Sequence, residues 1–246
     1  MALREDFESA GNWLFRWRSY LPLLVVGIFL LALKDYDYLG QNKTWDHYWE
    51  IGCLIVGFFG LLIRILTIGY TPKGTSGRNT KKQVAESLNT KGIYSVVRNP
   101  LYLGNYFMGL GIALVGHLWW LALIFTLLFW LYYERIIFAE EAFLRNKFGD
   151  VYMDWADKTP IFIPKLSQYE ASNVEFSLRN VLKREHDGFF ALISTFLIME
   201  TFAKYSMKSA FVFYDWWMGL LGVGFVVWLV LRLLKKHTSL LKVKGR

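Results

Sequence analysis

Six apolar blocks, separated by polar connections, constrain this chain more than any other feature: residues 21–33, 48–63, 101–116, 118–133, 189–202 and 211–234. A bilayer core is about 30 Å thick and takes on the order of 20 helical residues to cross. Flanking aromatics extend the shorter blocks to that length. Trp13, Trp17 and Tyr20 precede the first, Tyr36 and Tyr38 follow it, and Trp45 and Trp49 stand near the start of the second. Such residues settle at membrane interfaces. Of the 246 residues, 54% are hydrophobic and 18% aromatic, and because they come in blocks the chain reads as polytopic rather than soluble. Backbone groups inside hydrocarbon must be satisfied within their own segment. The expected fold is therefore all-α, a membrane protein of about six transmembrane helices. The first block runs on without a small-residue cleavage site and is expected to be retained. The fifth ends at Glu200 and Lys204, i,i+4 neighbours for which a paired, interfacial position is expected.

Charge placement sets the expected orientation. The connection 64–98 holds Arg64, Lys73, Arg78, Lys81, Lys82, Lys91 and Arg98 against Glu86 alone, and the tail after Leu231 is basic with no acid. The connection 34–50 sets Lys34 and Lys43 against Asp35, Asp37, Asp46 and Glu50. By the positive-inside rule the first two face the cytoplasm and the third lies outside, with both termini cytoplasmic. The chain divides into residues 1–70 (N-terminal spans), 71–93 (a basic cytoplasmic loop), 94–165 (a helical hairpin turning at Gly116-His117, then an amphipathic helix from Arg135 to Asp157), 166–188 (a polar linker) and 189–246 (a last pair of spans and a basic tail). Cys53 stands alone, which excludes a disulfide within the chain and a zinc site built on cysteine pairs. His47, His117, His186 and His237 have no i,i+3 or i,i+4 partner, which excludes the histidine-clustered di-iron class. Each is read as interfacial, and no metal is expected.

The stretch from Gly92 to Asn105 is polar and turn-forming, and an apolar block begins directly behind it. Pro100 fixes its own φ and biases Asn99 toward extended backbone, so a helix is expected to start near Leu101. The free N–H groups of that start, beside Arg98, could hold an anion at the membrane edge. The alternative is a turn that only caps a helix, with Arg98 anchoring it to headgroups.

The stretch resembles the G-x-Y-x-x-x-R-H-P-x-Y-x-G signature of integral-membrane methyltransferases, the isoprenylcysteine carboxyl methyltransferases and their phospholipid-methylating relatives. Gly92, Tyr94, Arg98, Pro100, Tyr102 and Gly104 match it, and Asn99 stands where the commonest form has His. The resemblance resumes at Glu140-Glu141, Phe148-Gly149, Tyr152 and Pro160–Pro164, and so covers roughly residues 90–165. It implies a site for S-adenosylmethionine, on the side that charge placement assigns to the cytoplasm, held by Glu140, Glu141, Tyr152 and residues of the turn: Gly92, Tyr94, Pro100, Leu101, Gly104 and Asn105. A carboxylate pair suits ribose hydroxyls or an ammonium, and aromatic rings suit adenine and sulfonium. For Glu141 the alternative is an exposed i,i+4 pair with Arg145, worth roughly 0.3–0.5 kcal/mol.

Arg98, Asn99 and Tyr102 are the candidate catalytic residues. An ionised acceptor needs alignment and exclusion of water rather than a general base, and Asn99, unlike His, cannot titrate. Arg98 would hold either the acceptor or the cofactor carboxylate. Arg78, Lys81 and Lys82 are expected to draw in an anionic headgroup, phosphate before isoprenylcysteine carboxylate. The expected partner is a membrane lipid or lipidated molecule, with no role for nucleic acid. Two other classes remain open at this point: a nicotinamide-dependent sterol reductase, which has a similar R-x-P-x-Y turn, and a non-enzymatic lipid-binding scaffold.

Overall fold

The computed structural model describes residues 2–72, 75, 83–208 and 215–243, and every regular element among them is a helix. In chain order these are α1 Leu3–Trp17, α2 Leu21–Ala32, α3 Lys43–Gly69, α4 Pro100–Ala113, α5 Trp119–Phe148, α6 Asp150–Ala156, α7 Leu178–Lys208 and α8 Asp215–His237. Four of them, α3, α5, α7 and α8, are long and apolar enough to cross a membrane, and α2 and α4 are shorter apolar helices. The six-span expectation thus holds approximately, with two helices below spanning length. Side chains such as Leu23, Leu31, Ile55, Leu127, Leu131, Val226 and Val230 are exposed, as lipid-facing residues would be.

Local chemistry sets the helix ends. Asn42 opens α3 by accepting from the Thr44 and Trp45 amides at 2.8 and 3.4 Å, the usual work of an N-cap. Pro100 is the first residue of α4, one position before the expected start. The hairpin turns as expected, through a 3-10 turn at Leu114–Gly116 and a left-handed His117. The expected amphipathic helix is not separate. Residues 135–148 continue α5 without a break, because nothing before Gly149 (φ 55°) interrupts the helix. The linker is shorter than expected, since α7 already begins at Leu178.

Lipid tails are as apolar as leucine, so helices in a bilayer associate through close packing rather than hydrophobic burial. The antiparallel pair α3–α4 shows this where two glycines meet. A Cβ built on Gly60 would lie 2.4 Å from the Gly104 carbonyl oxygen, and one on Gly104 would lie 2.5 Å from Arg64 Cγ. Leu192, Phe196 and Met199 of α7 are buried in one cluster with Cys53 and Leu61 of α3.

Residues 1–19, which precede the first expected span, contain α1. Its Phe7 ring packs on Phe138 at 5.7 Å, Gly11 lies against the Arg135 carbonyl, and Phe15 is buried with Tyr133, Ile136 and Ile137. The stripe at i, i+4 and i+8 thus seats α1 antiparallel on the later half of α5. Trp13 and Trp17 remain exposed.

The end of the bundle away from Arg98 is closed by buried charge. Lys204 Nζ lies 2.7 Å from Asp46, 3.3 Å from Glu50 and 3.3 Å from Glu200. Tyr36 donates to Asp46 at 2.7 Å, and His117 Nε2 is 3.2 Å from the same carboxylate. The expected Glu200–Lys204 pair forms, but at 3% and 2% exposure it is buried rather than interfacial. His117 joins this cluster, and His186 is buried as well, so neither is the interfacial side chain expected of it. A charged group stays in such surroundings only when paired, and here the pairing ties α3, α7, the α2–α3 connection and the α4–α5 turn. Removing one partner of a buried ion pair costs about 3–5 kcal/mol. Lys204→Met is therefore expected to lower stability by about that much in detergent denaturation, with part recovered in Lys204→Met/Asp46→Asn. A Lys204→Met protein as stable as the parent would show that the cluster does not hold this end.

Candidate functional site

The turn ahead of α4 takes a shape that its own residues and a returning strand of chain impose together. Gly92 sits at φ 64°, ψ −135°, a region open essentially to glycine alone, and its N–H donates to the Glu170 carbonyl at 2.8 Å. The segment 160–170 then runs back along the turn. Arg98 N–H donates to Pro160 at 2.9 Å, Lys165 N–H to Val96 at 3.0 Å, and Gln168 Nε2 to Ser95 at 2.8 Å. Asn99 lies outside the helix at φ −122°, and its Nδ2 donates to the Ile161 carbonyl at 3.2 Å. From α6, Trp155 Nε1 donates to the Tyr94 carbonyl at 3.1 Å. The turn is thus strapped on its outer side, which leaves its inner side to line a cleft.

That cleft has a volume of about 530 Å³, within the roughly 300–1,000 Å³ typical of small-molecule sites. Tyr94, Arg98, Asn99, Pro100, Leu101, Tyr102, Asn105 and Glu140 all line it, so the turn and α5 meet in one place. Tyr102 donates to Glu140 Oε1 at 2.8 Å, and Arg18 Nη1 lies 3.6 Å from the same oxygen. Burial pushes the Tyr94 phenol up to about 12, so it stays protonated near neutral pH and is a poor general base.

Four expected site residues stand behind the lining. Glu141 holds Arg98 Nη1 at 2.8 Å, in place of the simple Arg145 pairing. Tyr152 is buried beside both, and its burial together with the Glu141 carboxylate raises its phenol pKa. Gly92 shapes the turn, and Gly104 faces Gly60 and Arg64 of α3. Arg78, Lys81 and Lys82 lie outside the described residues. Thr75, Gln83, Val84 and Ala85, from the same loop, line the cleft.

Sequence reasoning missed Phe15, Arg18, Tyr133, Arg184 and Glu185, which also line the cleft, and it treated Arg64 as a loop charge. Arg64 is within α3 and fully engaged. Its Nε and Nη2 grip the two oxygens of Glu185 at 2.7 Å each, and its Nη1 donates to Asn105 Oδ1 at 2.6 Å. An arginine inside an apolar helix with no acid next to it was a usable signal. Arg18 and Glu185 carry no local mark that separates them from interfacial charges.

Residues 47–151 match the family described as phospholipid methyltransferase. The cobalt-zinc-cadmium resistance protein CzcN of Cupriavidus metallidurans is 30% identical over 68% of this chain and 72% of its own length. The chain belongs to the integral-membrane methyltransferase family. The nickel-cobalt-cadmium resistance protein NccN of Alcaligenes xylosoxydans is 29% identical over 66% of this chain and 71% of its own. Protein-S-isoprenylcysteine O-methyltransferase of Schizosaccharomyces pombe is 35% identical over 35% of this chain and 36% of its own. No solved structure matches the chain. Family membership decides for the methyltransferase over the reductase and the scaffold, and it implies S-adenosylmethionine as methyl donor. Among the described residues no group of three or more His, Cys, Asp or Glu side chains is placed to hold a metal ion.

A Cβ at Gly92 would meet Ser172 Cβ at 3.5 Å, an ordinary contact, so Gly92→Ala tests mainly the backbone. It is expected to cost about 1–3 kcal/mol and to speed hydrogen exchange at the Gly92 and Glu170 amides while leaving α7 protected. Unchanged exchange at both amides would mean that the strap does not depend on this conformation.

Proposed function

We propose that the protein transfers a methyl group from S-adenosylmethionine to an anionic headgroup of a membrane amphiphile, with lipid phosphate favoured and isoprenylcysteine carboxylate next. The observation that carries this reading is the convergence of the Tyr94–Asn105 turn with Glu140, some forty residues away in sequence, on one cleft of about 530 Å³. The donor set there fits the cofactor. Glu140 can accept from an ammonium or ribose hydroxyl, and Phe15, Tyr94, Tyr133 and Phe143 offer rings to adenine and cation. When bound, S-adenosylmethionine supplies a methyl group on a sulfonium, which an ionised oxygen accepts without prior proton removal.

The chain's own residues then align and exclude. Arg98 lines the cleft, and Glu141 holds its Nη1 at 2.8 Å. A guanidinium fixed in this way at the cleft wall can hold an oxyanion through charge-assisted hydrogen bonds. Asn99, tied to Ile161, contributes position and no proton. A protonated Tyr94 and a non-titrating Asn99 suit an acceptor that arrives already ionised. The basic residues Arg232, Lys235 and Lys236 end α8 on the cleft side, which supports a cytoplasm-facing site in a bacterial inner membrane or the endoplasmic reticulum. The loop around Thr75 and Gln83 supports Arg78, Lys81 and Lys82 as headgroup contacts.

Incubating the purified protein with methyl-labelled S-adenosylmethionine, a total lipid extract and a prenylcysteine tests the reading. Label in a phosphate-bearing lipid is expected. Label in the prenylcysteine alone would overturn the headgroup choice, and label in neither would overturn methyl transfer. Glu140→Gln should weaken cofactor affinity by roughly ten- to a hundredfold, the equivalent of about 1.5–3 kcal/mol. Arg98→Lys should lose most turnover, because an ammonium cannot pair with Glu141 and present a planar, two-point donor to an oxyanion at once. Near-normal turnover in Arg98→Lys would reduce Arg98 to a membrane anchor.

A further inference from the structure

We propose that Glu185, on α7 and beyond the family-matched residues 47–151, is a positioning residue that sets the hydrogen-bonding pattern of the cleft wall. The proposal rests on the methyl-donor reading of that cleft. Glu185 is 3% exposed, and both of its oxygens are taken by Arg64. A two-point grip fixes the plane of a guanidinium, and with it the directions in which the remaining Nη1 can donate. It meets Asn105. Arginine can only donate, so the Asn105 amide must turn its oxygen to Arg64 and its Nδ2 away. Nδ2 donates to the Tyr133 oxygen at 3.1 Å, which leaves the Tyr133 proton for an acceptor in the cleft. The Tyr133 ring packs on Tyr102 at 4.4 Å between centroids, and Tyr102 donates to Glu140. One buried carboxylate on α7 thereby orients a chain of groups through α3, α4 and α5 to the acid assigned to the cofactor.

The competing account is that Arg64–Glu185 only staples α3 to α7. The two accounts differ in a double-mutant cycle. A glutamine at 185 keeps the shape but sets an NH₂ against a guanidinium that also donates, so the grip becomes one-pointed. Glu185→Gln is expected to weaken binding of S-adenosylhomocysteine by about tenfold or more in calorimetry, the equivalent of roughly 1.4 kcal/mol. In an Asn105→Ala background the same change should cost less than about twofold, because the route to Tyr133 is already cut. Glu185→Asp, which keeps the charge, should recover part of the affinity, with thermal melts run on every variant. Equal losses in the two backgrounds, or lowered melting with unchanged affinity, would overturn the role given to Glu185. A parent protein that does not bind S-adenosylhomocysteine would overturn the donor reading, and this proposal with it.

Discussion

A guanidinium placed among apolar helices must have its charge balanced and its nitrogens engaged, and Arg64 meets both demands by reaching from α3 to two neighbouring helices. Its charge is met on α7 by Glu185, its remaining donor on α4 by Asn105, and its stem crosses α4 where Gly104 has no side chain. That gives the last glycine of the signature a physical reason. It makes room for an arginine from the neighbouring helix, and in doing so fixes how closely α3 and α4 approach. The cleft is what remains between these helices, α1 and the strapped turn.

The two ends of the bundle use charge differently. At the far end, Lys204 draws Asp46, Glu50 and Glu200 into one buried knot. At the cleft end, Arg64 is held by Glu185 and Asn105, and Arg98 by Glu141, both at the wall of the cleft. The first cluster joins helices, and the second also sets two guanidinium groups beside a cleft.

Much of this was legible before any coordinates. The apolar blocks become helices because their length and composition allow little else in a bilayer. The turn was readable because Gly92, Pro100 and the polar run between them act locally. Glu140 was readable only through the resemblance, since an acid on a helix looks the same facing solvent or a cleft. The rest depended on which helices become neighbours. Phe15, Arg18, Arg184 and Glu185 come from α1, the residue just past it and α7, where nothing in the local sequence says that these segments wall the cleft. For the same reason Glu200 and Lys204 read as an interfacial pair, because i,i+4 spacing shows that two charges meet and not whether water reaches them.

Because α5 runs unbroken from Trp119 to Phe148, it also acts as a ruler. Trp119 and Trp120 are exposed, as aromatics at a headgroup boundary are. At 1.5 Å per residue, Glu140 lies about 32 Å further along the axis, close to one hydrocarbon thickness. The carboxylate therefore comes to rest at the depth of the opposite row of headgroups. An acceptor anchored by its tails would already hold its polar atoms at that level, so it could reach the cleft by drifting sideways in its own leaflet without lifting out of it.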